Sequence, residues 1–406
     1  MQRRRPAPPA THRLVAALGL LAGIASLVSL NPSGSPAAAA PIDSPAPVAL
    51  MAPRSDVTLT ASSRRLFDLR DPAIDEASGL VVGSKSPGVL YAQNDSGDSA
   101  RFFAMNAETG ATVAVCTVHS ATNVDWEDMA GGHDVDGKAY IWIGDIGDND
   151  SSRDSITVYQ VPEPTLAASD RGVPCSVTPT KTWKLRYPDG AQNAESLMFD
   201  PLRHRLYIAT KTFSGSSNVY LVPQQPTTGV QQLQRIASIS VGPTDDASAT
   251  NGPVGVAGGF MVTGGAFSPD GSLLVLRTYS SAHLWRVNGG DVAAALQQPQ
   301  LSFDLPAQPQ GEGIAFTSVT GTVHTPRQVG LLIDSEKSGS GVYAVTLTLP
   351  PVATPTPVAP IARSSAIATP DSTEASSGQL LWVLLAASAG IAVVVGVIVL
   401  LRARRP

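Results

Sequence analysis

The chain has 406 residues, of which 43% are hydrophobic and 15% are charged, and it contains 36 glycines and 33 prolines. So little charge and so many turn-forming residues are typical of short strands joined by tight turns rather than of long solvated helices. The formal net charge of −5, with 28 lysines and arginines, provides no basic surface field and argues against a nucleic-acid partner.

The first 40 residues have the pattern of a secretory signal peptide. A basic segment, residues 1–13, precedes an apolar run over residues 14–30, and Ala38 to Ala40 supply the small side chains of a cleavage site. The apolar run is long for a signal peptide, so an uncleaved signal anchor is the alternative. Both interpretations predict that the chain is exported.

Residues 61–349 contain a repeated pattern of short strands. Each repeat has an apolar strand that begins with a polar residue, a second strand that ends in polar residues, and a third strand of alternating aromatic and aliphatic residues. The predicted first strands are residues 78–82, 127–130, 195–199, 263–267 and 312–316. Because repeats this small cannot bury a face alone, we predict an all-β fold, a β-propeller.

The repeats also predict how the propeller closes. Fourth strands are predicted in the first four repeats, at residues 111–115, 182–185, 234–239 and 301–305. The fifth repeat stops after three strands, and residues 65–69 are predicted to supply its fourth strand and so remove the open edges of the ring. This arrangement gives five blades, and a degenerate sixth blade within residues 242–260 is the alternative.

Cys116 and Cys175 are the 2 cysteines of the chain. In an exported protein, two cysteines most simply form one disulfide. Both lie near predicted fourth strands, which favours a bridge between the outer parts of blades one and two. Two inert buried thiols are the alternative.

The C-terminal part is predicted to tether the propeller to a membrane. Residues 350–379 are rich in Pro, Ala, Thr and Ser and poor in large apolar side chains, which predicts an unfolded stalk; residues 41–60 are similar and are predicted to be disordered. Residues 380–401 are an uncharged apolar run long enough for a helix across a bilayer core of about 30 Å. The basic tail that follows, residues 402–406, predicts a cytoplasmic C-terminus and an extracellular propeller, by the positive-inside rule.

Polar residues occur at the starts of the predicted first strands and at the ends of the predicted second strands. In a propeller these positions lie on the same face, so the polar residues are predicted to gather on one rim. The ligand-binding candidates there are Ser78, Thr263, Lys211, Arg277, Asp334 and Lys337, and the metal-ligating candidates are Glu127, Glu195, Glu312, Asp145, Asp148 and Asp150. Crowded carboxylates repel one another unless a cation neutralises them or some are protonated, and hard oxygen ligands suit Ca²⁺. The alternatives are that they cap turns and form ion pairs, or that they act directly in catalysis.

The loop at residues 144–154 gives a second indication of calcium. Asp148, Asp150, Ser152 and Asp154 alternate as oxygen ligands do in calcium loops, although the glycine and the terminal glutamate of an EF-hand are missing. A plain polar turn is the alternative.

Three segments resemble the first-strand signatures of secreted bacterial propellers of the phytase-like, esterase-like group. They are Asp-Trp-Glu-Asp-Met-Ala at 125–130, Glu-Ser-Leu-Met-Phe-Asp-Pro at 195–201 and Glu-Gly-Ile-Ala-Phe at 312–316. In phytase propellers, acidic channel residues bind calcium, which holds phosphate together with nearby Lys and Arg. The resemblance implies these roles for Glu127, Glu195, Glu312 and Lys211. Ser78 and Thr263 stand where the family has two further carboxylates.

The sequence therefore predicts a membrane-anchored extracellular β-propeller that is a ligand-binding module with a calcium-ordered acidic mouth and recognises a surface or envelope ligand. The alternative is a calcium-dependent phosphoesterase or esterase that uses the same mouth. In that case metal-bound water would attack the substrate, and Lys211 or Arg277 would stabilise the developing negative charge.

Overall fold

The computed structural model describes residues 56–244 and 255–352, and these residues form a five-bladed β-propeller. The predicted signal peptide, transmembrane helix and basic tail lie outside the described residues, as does all but the beginning of the predicted stalk. In the part of the chain that the structure describes, no helix is long and apolar enough to cross a membrane.

The strands follow the predicted order. Two strands precede blade one, β1 (Val57–Thr58) and β2 (Ala61–Asp68). Blade one contains β3 (Ala77–Val82), β4 (Val89–Asn94), β5 (Arg101–Asn106) and β6 (Thr112–Val118). The next segment contains β7 (Trp126–His133), β8 (Ala139–Asp145), β9 (Ile156–Pro162), β10 (Val173–Val177) and β11 (Lys181–Arg186). It is followed by β12 (Ala194–Asp200), β13 (Arg205–Thr210), β14 (Ser216–Leu221), β15 (Val230–Gln232) and β16 (Gln234–Ser240).

Two short helices occur in the fourth blade, a 3-10 helix at Gly255–Phe260 and α1 at Val292–Leu296. The strands of this part are β17 (Val262–Phe267), β18 (Leu273–Thr278), β19 (Ser281–Arg286), β20 (Leu301–Asp304), β21 (Gly311–Thr320), β22 (Arg327–Ser335) and β23 (Gly341–Leu349). Every predicted first and fourth strand is present, with small differences at its ends.

The ring closes as the sequence predicts. β2 pairs antiparallel with β23, from Ala61 opposite Leu347 to Asp68 opposite Gly341, and so completes the fifth blade. The first strands β3, β7, β12, β17 and β21 contact one another in this order, and β21 contacts β3 again. A complete ring of five first strands leaves no room for a sixth blade.

The outer rim has a feature that the sequence did not predict. The segment before the fourth strand of a blade reaches back to the preceding blade. β10 pairs parallel with β6, β15 with β11, and β1 with β20. In the fourth blade α1 takes this place and contacts β16. Strand pairing therefore begins at Val57, before the predicted start of the propeller at residue 61.

The predicted disulfide between Cys116 and Cys175 is present, with the two Cα atoms 4.4 Å apart. The two cysteines are directly opposite each other in the pairing of β6 with β10. Both therefore belong to the sheet of blade one, and the bridge fixes a segment of the second repeat to the first blade. A bridge between residues 59 positions apart contributes about 4 kcal/mol to stability in the chain-entropy model.

Neighbouring blades pack through large side chains that sit against glycine backbone. The ring of Phe199 in β12 stacks on Trp142 of β8 with 4.0 Å between ring centroids. A Cβ atom at Gly132 would lie 2.5 Å from Cδ1 of Phe199, so a side chain at this position would push blades two and three apart. Buried apolar side chains lie between each blade and its neighbour, and their packing holds the ring together.

His283 is a titratable group inside the fourth blade. Its side chain is buried between β19 and β20, where Nε2 lies 3.2 Å from Ser281 Oγ and Nδ1 lies 3.0 Å from Ser302 Oγ. Burial disfavours the charged imidazolium and lowers the pKa of His283 from 6.5 to about 4. The folded protein therefore holds this residue neutral at a pH where the unfolded chain would protonate it.

We expect this difference to destabilise the fold in acid. Since the unfolded chain takes up the proton first, stability is lost as the pH falls from about 6.5 to about 4, by about 3 kcal/mol in total. His283→Gln can keep hydrogen bonds to both serines but does not titrate, so its stability should lack this component. Denaturant unfolding at pH 7.5 and 4.5 measures the difference. His324→Gln, at an exposed position, is the matched control and should behave like the wild type. Equal pH dependence in all three proteins would contradict the assignment.

Candidate functional site

The mouth of the central channel is built by a feature that all five blades share. Near its start, each first strand has one residue more than the second strand that it pairs with, which is a β-bulge. The bulges contain the predicted site residues Ser78, Glu127, Glu195, Thr263 and Glu312. All five are buried. Because a bulge releases a side chain from the alternation of the strand, polar groups can occupy the innermost strands without disrupting the apolar packing between blades.

Three carboxylates meet on one side of this mouth. Asp95 follows β4, Asp125 precedes β7 and Glu127 lies within β7, and one oxygen of each lies within 4.8 Å of the others. Gly147, in the loop after β8, makes room for them, because a Cβ atom there would collide with the carboxylates of Glu127 and Asp125. Among the described residues, no other group of three or more acidic, His or Cys side chains lies as close together. We call these three residues the acidic cluster.

The acidic cluster is electrostatically unfavourable in the absence of a cation. Burial raises the pKa of Asp95 to about 8, and repulsion from Asp125 adds to this effect. Burial, followed by repulsion from Glu195 and Asp95, raises the pKa of Glu127 well above its ordinary value. Glu127 is 3% exposed, and among the main influences on its pKa only attraction to Lys211 favours the charged form.

A lysine occupies the other side of the mouth. Lys211 Nζ lies 2.5 Å from Glu195 Oε2 and donates to the Tyr279 hydroxyl at 2.8 Å. Burial lowers the pKa of Lys211, but attraction to Glu195 and Glu312 outweighs this effect and raises it overall. Glu312 is buried next to this group, and its Oε2 atom has no hydrogen-bond partner among the described residues. Lys211 is therefore a protonated, paired lysine.

Three predicted ligand-binding residues lie in the wall of the channel. Arg277 is fully buried and donates to the carbonyl oxygens of Gly313 at 3.0 Å and Asp334 at 3.2 Å. The Asp334 carboxylate accepts from the N–H of Gly313 at 2.8 Å, and burial raises its pKa to about 7. Thr263 Oγ1 donates to the carbonyl of Gly311 at 2.8 Å. The contacts of Arg277 and Thr263 join blades four and five. Lys337, by contrast, is exposed on the turn after β22.

In the loop with calcium-like spacing, two of the three predicted metal-ligating aspartates accept hydrogen bonds. Asp145 accepts a hydrogen bond from Arg153 Nη2 at 2.8 Å. Asp148 accepts from the N–H groups of Ser152 at 2.9 Å and Arg153 at 2.8 Å, and Asp150 is exposed. The carboxylates of these three aspartates are therefore not part of the acidic cluster, although Asp145 lies next to it and also accepts from the N–H of Asp125 at 3.2 Å.

Of the six predicted metal ligands, only Glu127 belongs to the acidic cluster, while Glu195 and Glu312 surround Lys211. Asp95 and Asp125 were not among the predicted metal ligands. Both occupy rim positions that the strand pattern defines, the end of a second strand and the start of a first strand. The pattern alone does not indicate which of the rim carboxylates meet.

Asp128 was missed by the sequence analysis and connects three blades. Its Oδ2 atom accepts from the N–H groups of Leu197 in β12 at 2.9 Å and Gly265 in β17 at 3.3 Å. Its Oδ1 atom accepts from the N–H of Met129 at 2.8 Å. Since the side chain starts from β7, these hydrogen bonds link the first strands of blades two, three and four across the channel.

We expect Asp128→Asn to destabilise the propeller by about 2 kcal/mol, since the amide group has only one acceptor oxygen and would leave a buried N–H group unsatisfied. Denaturant unfolding would measure the change. Asp136→Asn, at an exposed position of the β7–β8 turn, is the matched control and should cost little. A loss no greater than that of the control would show that the link across the channel is not important for stability.

No protein-family model and no curated protein matches the sequence. The phytase-like resemblance therefore has no support from a sequence match and stays a prediction. Among solved structures, the chain is similar to the Cps50 (Swd1) β-propeller domain of Myceliophteria thermophila, with 10% identity, 70% of this chain and 88% of that chain covered, and a TM-score of 0.31. It is also similar to the family AA12 carbohydrate-active enzyme of Trichoderma reesei, with 12% identity, coverage of 70% and 95%, and a TM-score of 0.32.

A third similar structure is a 6-phosphogluconolactonase-like propeller from Bacteroides uniformis, with 14% identity, coverage of 66% and 81%, and a TM-score of 0.28. Likenesses at this level carry no argument about activity. The class of the protein rests on its own sheets and closure: it is a five-bladed β-propeller with a predominantly acidic channel mouth.

Proposed function

We propose that this protein is an extracellular, membrane-tethered propeller that works as a ligand-binding module, with Ca²⁺ held in its acidic cluster. The observation that carries the proposal is the buried carboxyl group of Glu127, which lies beside Asp95 and Asp125. The raised pKa of Glu127 shows that ionising this buried carboxyl group is costly unless the charge is paired or coordinates a metal. A cation in the cluster would supply the missing partner.

The spacing of the acidic cluster suits calcium. Every pair of these oxygens lies within 4.8 Å, which is close enough for two oxygens to share one cation bound at about 2.4 Å. Calcium takes about six to eight oxygen ligands, and three carboxylates supply at most six. The remaining positions would be open to water or to an oxygen of a ligand.

The loops on the same face offer apolar contacts for such a ligand. Phe213 is 71% exposed in the loop after β13, and Val124 is 57% exposed just before β7. Val256, in the 3-10 helix before β17, is 55% exposed. We infer a surface or envelope ligand that combines a carboxylate, phosphate or hydroxyl group for the cation with an apolar part for these loops.

Pairing of the basic side chains favours binding over hydrolysis. In the hydrolase alternative, Lys211 or Arg277 would be free to stabilise negative charge as it develops. Lys211 is engaged by Glu195 and Tyr279, and Arg277 is engaged by carbonyl oxygens inside the wall. The hydrolase alternative has no comparable observation in its favour.

Calcium should raise the melting temperature of the wild-type protein. An ion that binds only the folded state adds about 2.7 kcal/mol to the free energy of unfolding when its concentration is a hundredfold above Kd. Glu127→Gln and Asp125→Asn remove one ligand charge each and should lose most of this shift. Differential scanning fluorimetry with calcium and with a chelator measures the effect.

Asp150→Asn is the matched control, since it removes an exposed carboxylate from the loop with calcium-like spacing and should keep the full shift. If Asp150→Asn loses the shift and Glu127→Gln keeps it, the ion binds in the loop and not in the acidic cluster. If calcium does not shift the melting temperature of the wild type, the calcium proposal is wrong.

Assays with p-nitrophenyl phosphate and p-nitrophenyl acetate separate binding from catalysis. Calcium-dependent turnover that Glu127→Gln abolishes would favour the hydrolase.

Deletion of residues 380–406 should release the propeller into the medium as a folded protein. The predicted membrane helix would be lost, whereas the ring closes through β2 and β23 and needs nothing from that segment. Immunoblots of cells and medium, together with the melting temperature of the released protein, measure the result. The full chain should stay with the membranes. A truncated chain that remains with the cells would contradict the predicted anchor.

A further inference from the structure

A separate cavity opens at the end of the channel opposite the acidic mouth. It has a volume of about 430 Å³ and is lined by the later halves of all five first strands, including Val82, Met129, Phe199, Ala266 and Phe316. Among the described residues that line it, none is Asp, Glu, Lys or Arg, and the titratable side chains are those of His133 and His204. We call this space the lower cavity.

The lower cavity is distinct from the acidic mouth. Three successive positions of β7 have different roles, since Glu127 belongs to the acidic cluster, Asp128 bonds across the channel, and Met129 lines the lower cavity. The link from Asp128 to Leu197 and Gly265 therefore lies between the two spaces.

The residues that line the lower cavity favour a neutral ligand over a charged one. A charged group that entered the lower cavity would lose hydration and would meet no Asp, Glu, Lys or Arg side chain, which is unfavourable. A neutral apolar body would instead release water from apolar walls. An apolar cavity of about 150 Å³ can hold benzene, and ligand pockets begin at about 300 Å³, so the lower cavity can hold fused rings with a substituent.

The first strands also direct peptide groups toward this space. The N–H groups of Leu197 and Gly265 point to the channel, since both bond to Asp128. In an antiparallel pair the direction of the peptide groups alternates, so the N–H and C=O groups of Phe199 and Phe267 face the channel as well. These groups can bond to a carbonyl, amide or hydroxyl of an otherwise apolar molecule.

We propose that the lower cavity binds a neutral, largely apolar small molecule with a ring body and one carbonyl, amide or hydroxyl group. Because the cavity is formed by the first strands themselves, binding does not depend on the acidic cluster or on calcium.

Photolabelling of the full chain tests the proposal directly. The neutral probe 3-trifluoromethyl-3-phenyldiazirine should insert into the segments 80–84, 129–133, 199–204, 265–269 and 314–317, as found by peptide mass spectrometry. Naphthalene-2-carboxamide should suppress this labelling at a concentration at least tenfold lower than naphthalene-2-carboxylate, which has the same rings but carries a charge. A chelator should change neither result.

Two variants locate the effect. Ala266→Leu narrows the lower cavity and should reduce labelling of these segments severalfold. Ala167→Leu makes the same change at an exposed loop position and should leave it unchanged. The competition in the wild-type chain decides the matter if Ala266→Leu does not fold. Absence of insertion into these segments, equal competition by amide and carboxylate, or full labelling of a folded Ala266→Leu protein would overturn the proposal.

Discussion

One extra residue near the start of each innermost strand is the constraint on which this molecule depends. The first strands of the five blades form the narrowest ring of the propeller, where they pack against one another. In a regular strand, a charged side chain here would point into an apolar contact between blades. The bulge changes its direction, and it does so at the same level in all five blades. Glu127, Glu195 and Glu312 can therefore lie at the mouth while the rest of each strand keeps its apolar packing.

The two ends of the channel differ because the first strands change character along their length. Three of their starts contribute carboxylates and two contribute hydroxyl groups, and their later halves contribute mainly Val, Ala, Phe and glycine backbone. Asp128 separates the two parts, and three backbone N–H groups bond to its carboxyl group, although burial still raises its pKa well above the ordinary value. The mouth suits charged and hydroxylated groups, and the lower cavity suits neutral apolar ones. One narrow channel thus offers two chemically distinct sites.

The outer rim stabilises the ring in a different way. β10, β15 and β1 each extend the sheet of the preceding blade, and α1 packs on the outer strand of blade three. Each of these contacts covers a sheet edge that would otherwise be open, and it also ties two blades together through the chain. The disulfide between Cys116 and Cys175 makes one of these ties covalent. Such ties matter in a ring in which each blade contacts only its neighbours and the narrow centre.

The sequence by itself determined the strands, the five repeats, the closure through residues 65–69, the cysteine pair and the rim on which charge gathers. These features follow from alternation with a period of two and from local turn residues, which act within a few positions of the chain. Only the tertiary structure decided which rim carboxylates meet, that Arg277 is fixed in the wall, that Asp145 and Asp148 are engaged by their own loop, and that β10 joins blade one. Asp95 and Asp125 come from different blades, and their separation depends on bulges and inter-blade packing, which leave no periodic signal in the sequence. A displacement of a few ångströms decides whether two carboxylates share an ion or only a surface, and local patterns do not specify position to that accuracy.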